Sequence, residues 1–292
     1  MQICLHISSQ GQPCRIYRKI SLKISGFIIH LLQILDVNLS LTGKSALVCG
    51  STAGIGKAAA IKLAERESTV ILLARNKEKL TSVLQELPGE GHTSLCADFD
   101  DPEAVKAAVT EYLKNGNTVH ILVNNSGGPP SGKLLDAAPE DFNTAFSRHI
   151  VCNQLLAQLV IPGMVESNFG RIINIISTSV RKPIQGLGVS NTIRAAVANW
   201  ARSLAMDVGT AGITVNNVLP GYTDTGRLKS LISSMADSGN LTEEQVRESL
   251  MANVPLGRLA EPEEQANLIA FLASEAASYI TGTSIAVDGG RT

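Results

Sequence analysis

Short runs rich in β-branched and aliphatic residues alternate along this chain with longer stretches of helical spacing. Ser45 to Cys49, Thr69 to Ala74, Thr93 to Ala97, Val119 to Val123, Arg171 to Ile176 and Thr214 to Leu219 are such runs. Each reads as a strand covered on both faces rather than one. Between them, Ala58 to Ala64, Lys77 to Leu87, a segment opened by Pro102, Asp141 to Val165 and Ser190 to Val208 follow a helical pattern. Regular strand–helix alternation predicts a doubly wound parallel sheet with helices on both faces and ligands at the carboxyl ends of its strands. No repeat or linker interrupts the pattern after Val37, so residues 38–292 read as a single α/β domain. Gly226 to Pro255 reads as two short helices, and Thr242-Glu243-Glu244-Gln245 has the form of a capped helix start.

The first 37 residues do not share this pattern. Arg15, Arg18, Lys19 and Lys23 precede an apolar run, Phe27 to Leu35, broken by His30 and Gln33. That run is too short to span a bilayer, and no small-residue cleavage site follows it. Two readings stand: a targeting or membrane segment, or an extension that is disordered or arises from a start assigned too far upstream. The second is preferred, with no stable membrane insertion, and residues 1–37 are left out of the fold argument.

Composition narrows the function classes. The chain has 292 residues, 44% of them hydrophobic and only 4% aromatic, ample for one α/β core. The net charge is −1 and no basic run marks the body of the chain, which argues against nucleic acid. Five scattered cysteines without a CxxC pair and five histidines without ligand spacing argue for a reducing, cytoplasmic setting and against a metal site.

Candidate chemistry begins in Lys44 to Leu63. After the first strand, Gly50, Gly54 and Gly56 crowd together before the helix resumes. Backbone without side chains can approach a pyrophosphate, and the helix N-terminus presents unpaired N–H groups and a positive dipole end. Strand before and helix after are the context that makes this glycine triplet a phosphate site rather than a bare turn. Arg75 lies just past the second strand, where an acidic residue would grip ribose hydroxyls. An arginine there suits a 2′-phosphate, so NADP(H) is favoured over NAD(H).

Gly50-Ser51-Thr52-Ala53-Gly54-Ile55-Gly56, Asp98, Asn124-Asn125-Ser126-Gly127, Ser177 and Pro220-Gly221 together resemble the short-chain dehydrogenase/reductase family. So do Gly257-Arg258-Leu259, Glu261-Pro262-Glu263-Glu264, Phe271 to Ser274 and Tyr279 to Gly290. The resemblance covers about residues 39–290 and is strongest toward bacterial 3-oxoacyl-carrier-protein reductases. It implies a Rossmann-type fold, a carbonyl or alcohol substrate such as an acyl thioester, and a homotetramer or homodimer built on the two long helices. It also implies that Gly50, Ser51, Thr52, Gly54, Ile55 and Gly56 hold the cofactor phosphates and that Asp98 contacts adenine. Asn124, Ser126 and Gly127 would run along the cofactor, and Pro220, Gly221, Thr223 and Thr225 would cover the nicotinamide.

The family reduces carbonyls with an asparagine, a serine, a tyrosine and a lysine. Ser177 matches the serine. Thirteen residues later, where the tyrosine belongs, stands Ser190, and the lysine position four further on is Arg194. His149 occupies the asparagine position. None of the four tyrosines, Tyr17, Tyr112, Tyr222 and Tyr279, has a lysine four residues on, so no shift of register restores the motif. A serine hydroxyl is a far weaker acid than a tuned phenol, and Arg194 remains cationic. Arg194 could bind the ribose or an anionic substrate. His149, titrating near neutrality, and Tyr222 are substitute proton donors, although a packed helix histidine and a lid-packing tyrosine are the preferred readings of the two. Arg181 and Lys182 follow Ser177 in the loop expected to border the substrate. The expectation is an NADP(H)-dependent oxidoreductase with a divergent tetrad. The alternatives are a catalytically silent dinucleotide-binding sensor or partner subunit, and reduction of a conjugated double bond.

Overall fold

The computed structural model describes residues 38–292. In chain order the strands are β1 (Ser45–Cys49), β2 (Thr69–Ala74), β3 (Thr93–Cys96), β4 (Ile121–Asn124), β5 (Gly170–Ile175), β6 (Ile213–Pro220) and β7 (Ser284–Val287). The helices are α1 (Gly54–Glu65), α2 (Lys77–Glu86), α3 (Pro102–Lys114), α4 (Pro139–Phe146), α5 (Cys152–Glu166), α6 (Gly188–Val208), α7 (Gly226–Gly239), α8 (Glu243–Ala252) and α9 (Pro262–Ala273). The expected N-terminal extension lies outside the described residues.

All seven strands form one parallel sheet in the order β3-β2-β1-β4-β5-β6-β7. The fold is therefore the Rossmann-type doubly wound sheet expected. Strand alternation divides the core between two faces. Ala46 and Val48 turn toward α1, α2 and α9, where Leu63, Leu80 and Ile269 are buried. Leu47 and Cys49 turn toward α3, α5 and α6, meeting Val109, Leu156 and Ala201. The strand order reverses between β1 and β4, which opens a crevice at their carboxyl ends.

Two features depart from the sequence-based expectation. The single helix expected over Asp141 to Val165 starts at Pro139 and contains a π turn at Ser147–Val151. A π turn admits one extra residue into an α-helix and is frequent at functional sites. Here it holds His149. The second is β7, whose four residues are too few for periodicity to reveal.

Beside the crevice the sheet carries a row of amides. Asn124, Asn174 and Asn217 are in register across β4, β5 and β6, with Ser284 opposite Asn217 on β7. Asn124 Nδ2 donates to Asn174 Oδ1 at 2.9 Å, Asn174 Nδ2 to Asn217 Oδ1 at 3.0 Å, and Asn217 Nδ2 to Ser284 Oγ at 3.1 Å. The row pairs most of the polar groups that would be costly in so dry a layer, leaving Asn124 Oδ1 without a partner among the described residues. Among the described residues, no helix is long and apolar enough to cross a membrane, and no His, Cys, Asp and Glu side chains cluster as metal ligands would.

Candidate active site

The β1–α1 turn is built by steric necessity. Gly50 has φ +57°, and a Cβ there would lie 2.7 Å from the Asn125 side chain and backbone carbonyl. A Cβ on Gly56 would lie 2.2 Å from the Gly50 carbonyl oxygen. Asn125 fastens the turn, its Nδ2 lying 3.2 Å from both the Cys49 and Gly50 carbonyl oxygens. The helix that follows has no side-chain N-cap at Ala53 and no acid in its first turn, so its N–H groups and dipole are free to face an anion. Ser51 Oγ is buried there without a hydrogen-bond partner among the described residues. A buried orphan hydroxyl beside an uncapped helix start fits the phosphates of a dinucleotide.

Arg75, past the end of β2, is exposed, and its Nη1 lies 3.4 Å from Asp98 Oδ2 beyond β3. The two residues expected at the adenosine end are therefore neighbours at the rim, and Arg75 has a partner that a bound 2′-phosphate would have to displace. Thr52 is half-buried in the glycine turn.

From this turn a cleft of about 400 Å³ runs past β4, β5 and β6 toward α7. Gly50, Gly54 and Ile55 line one end, and Ser126 and Gly127 the floor beside β4. Pro220, Gly221, Thr223 and Thr225 line the side nearest α7, which with α8 forms the lid over the cleft. Ser177, Ser190 and Arg194 lie together on the β5–α6 wall. Ser51, Thr52, Gly56, Arg75 and Asp98 are not walls of this cleft. Asn124 is not one either: its amide is committed to the row across the sheet, and Asn125 takes the position on the cleft.

The β5–α6 wall is desolvated. Ser177 caps a short 3₁₀ turn, its Oγ accepting from Ser179 N at 3.0 Å; the hydroxyl proton is left to point elsewhere. Arg194, only 8% exposed, donates from Nη1 to the Ile175 carbonyl at 3.0 Å. Burial, followed by the charges of Arg227 and Arg148, lowers its pKa to about 10, which leaves it cationic at neutral pH.

His149 is placed behind this wall rather than on it. It is 2% exposed, and its Nδ1 shares a 2.7 Å hydrogen bond with Ser126 Oγ. Nε2 has no partner among the described residues. Burial, then the Arg194 and Arg148 cations, push its pKa down to about 2. The side chain read from sequence as titrating near neutrality thus stays neutral throughout the working range and cannot store a proton for delivery.

Tyr222 does line the cleft, with the Arg291 guanidinium 4.4 Å from its ring centroid and its ring packed on the lid core of α7 and α8. Arg181 is turned away, donating to the Ser284 carbonyl; neither it nor Lys182 lines the cleft. One charged wall residue, Arg227, was invisible to sequence reasoning. It lies one residue into α7, and its Nη2 donates to the Pro129 carbonyl at 2.6 Å. Its only sequence signal is proximity to Thr225, which caps that helix.

The model of a family described as enoyl-(acyl carrier protein) reductase matches residues 50–292. The 3-oxoacyl-[acyl-carrier-protein] reductase FabG of Vibrio harveyi is 33% identical over 86% of this chain and 98% of its own length. Among solved structures, the L-sorbose reductase of Gluconobacter frateurii, complexed with NADPH and L-sorbose, superposes with a TM-score of 0.82 at 28% identity, over 87% of this chain and 98% of that one. YwfH, an NADPH-dependent reductase involved in bacilysin biosynthesis, superposes with a TM-score of 0.80 at 29% identity, over 85% and 98%. With the glycine turn, the sheet order and the Ser177 wall in place, the chain belongs to the short-chain dehydrogenase/reductase family.

Proposed function

We propose that this protein is an NADP(H)-dependent oxidoreductase that reduces a carbonyl at the β5–α6 wall with a divergent catalytic set. The observation that carries the proposal is the continuity of one cleft. It leads from a phosphate-fitting glycine turn, with its orphan Ser51 hydroxyl, to Ser177, Ser190 and Arg194. Bound NADPH supplies the hydride. Gly50, Ser51, Thr52, Gly54, Ile55 and Gly56 hold its phosphates, Arg75 and Asp98 its adenosine end. Ser126, Gly127, Pro220, Gly221, Thr223 and Thr225 enclose the rest.

Ser177 donates its hydroxyl proton to the substrate carbonyl as a hydrogen bond and orients it. Arg194 keeps its charge in a dry wall, where a fixed cation strongly stabilises a developing oxyanion. That stabilisation lowers the demand for a strong acid. The proton then comes from water passed through the Ser190 hydroxyl, with Tyr222 as the other donor on the cleft. His149 acts as a neutral support that holds Ser126.

The FabG relative makes 3-oxoacyl thioesters the first substrates to assay. The test follows NADPH fluorescence on purified protein with acetoacetyl thioesters and simple ketones, beside a Ser190→Tyr, Arg194→Lys double variant. Turnover by the natural protein is expected. NADPH binding without turnover, and activity only in the double variant, would favour the silent sensor or partner subunit; Arg194 without a phenol beside it is the feature that keeps this second reading open. Assembly into a homotetramer or homodimer through α5 and α6 is part of the same proposal, supported by the exposed apolar side chains Val165 and Met206. A sedimentation profile showing monomer alone would remove it.

A further inference from the structure

The walls of the cleft are unbalanced in charge. Among the described residues, Arg194 and Arg227 are the charged side chains that line it, and no aspartate or glutamate does. Arg194 approaches from α6 and Arg227 from the lid helix α7. Each makes one hydrogen bond to protein among the described residues, to the carbonyls of Ile175 and Pro129. Most of their N–H donors are thus left without protein acceptors. Arg194 is a buried cation without a carboxylate, which is costly, whereas Arg227 is exposed at the rim; burial first, and then the charge of Arg227, already depress the Arg194 pKa.

Neighbouring charges do not repair the imbalance. Arg148, behind the wall, is matched by Asp100, with Nε 2.7 Å from Oδ1. Asp224, just before α7, is engaged by Arg247 at 3.4 Å and Lys229 at 3.8 Å and does not line the cleft. The anionic groups of a dinucleotide have their own cradle at the start of α1. Besides uncharged hydroxyl side chains such as Ser177 and Ser190, the cleft is lined by the apolar Ile176, Ile184, Leu187, Leu228 and Leu231.

We propose that Arg194 and Arg227 form an anion subsite that takes the carboxylate of the substrate, which is therefore a small oxo acid with an apolar body. This rests on the oxidoreductase reading for the fate of the carbonyl, but the subsite itself does not need it. Planar guanidinium forks pair with carboxylates through parallel N–H···O bonds.

The test measures binding to the full chain by calorimetry, with and without saturating NADPH, whose own affinity is first read from its fluorescence. Phenylpyruvate and its uncharged analogue phenylacetone are the probes, with inorganic phosphate as the anion control. Phenylpyruvate is expected to bind at least about tenfold more tightly than phenylacetone, as charge-assisted hydrogen bonds require. Arg227→Gln should erase most of that ratio while leaving the phenylacetone and NADPH affinities unchanged. Equal binding of the two probes, absence of binding by both, or an undiminished ratio in Arg227→Gln would overturn the subsite. A parallel loss of NADPH affinity in the variant would give Arg227 to the cofactor phosphates and overturn it too. Competition by phosphate as strong as by phenylpyruvate would overturn the carboxylate assignment. Failure of NADPH to bind would sink the oxidoreductase reading alone, since the acid preference is measured on the protein without it.

Discussion

The glycine turn after β1 and the wall between β5 and α6 face each other across one cleft, yet they are made in opposite ways. The turn is backbone: its shape follows from positions where a Cβ would collide with Asn125 or with Gly50 itself. The wall is side chain: two serines, a buried guanidinium and a neutral imidazole behind it. Backbone geometry tolerates almost no substitution. A wall of side chains can exchange one proton donor for another charge arrangement and keep its shape. That difference explains how the proposed cofactor half can look ordinary beside an altered catalytic half.

The contrast breaks most sharply at Gly56. Gly56→Val should abolish NADPH binding and destabilise the domain by about 3 kcal/mol or more, because the clash is with fixed backbone. A fluorescence titration and a urea melt check both effects, and a variant that still binds NADPH would show that the turn yields. On the opposite wall, Ser177→Ala should lower kcat by about 10²–10³-fold, in the range for losing one hydrogen-bond donor to a developing oxyanion. NADPH affinity and stability should hardly change. An unchanged rate would remove Ser177 from the mechanism.

His149 tests the electrostatic side of the comparison. Its folded pKa is depressed to about 2, while in the unfolded chain it should titrate near 6.5. Its contribution is therefore complete above pH 6.5 and is lost as pH falls toward 2, since the unfolded state takes up the proton first. Urea unfolding at pH 7 and pH 5 should show the natural protein losing about 2 kcal/mol more than His149→Gln over that interval. Equal losses would mean that the imidazole is charged or exposed in the fold. Smallest is Thr242→Ala at the start of α8, far from both halves. It removes one arm of a capping box with Gln245 and should cost about 1 kcal/mol, seen as a modest fall in Tm with unchanged NADPH affinity.

What the sequence revealed follows the same division. β1 and β2 were legible to the residue because buried parallel strands are continuous apolar runs, and the turn was legible because glycine is chosen there by collision. The Thr242 cap was read for a similar reason: local chemistry at fixed spacing. The π turn was hidden, since an extra residue in an apolar helix leaves no mark in composition. β7 was too short for its period to show. Arg227 enters the site through the fold of the lid, which no local pattern encodes. His149 was found by position but its charge state was not, because burial and the two arginines around it are properties of the assembled molecule.

The amide row across β4 to β7 has a direction, and this makes it a binary object. Asn174 and Asn217 each accept from one neighbour and donate to the next, while Asn124 at the near end only donates, its oxygen having no partner among the described residues. One rung cannot turn over by itself, because two NH₂ groups or two oxygens would then confront each other. Reversal is possible only for all three at once, and only because the hydroxyl of Ser284 at the far end can donate as well as accept. The sense of the row is thus a shared property of four strands, and a disturbance of any one rung is felt as a change of parity by the others.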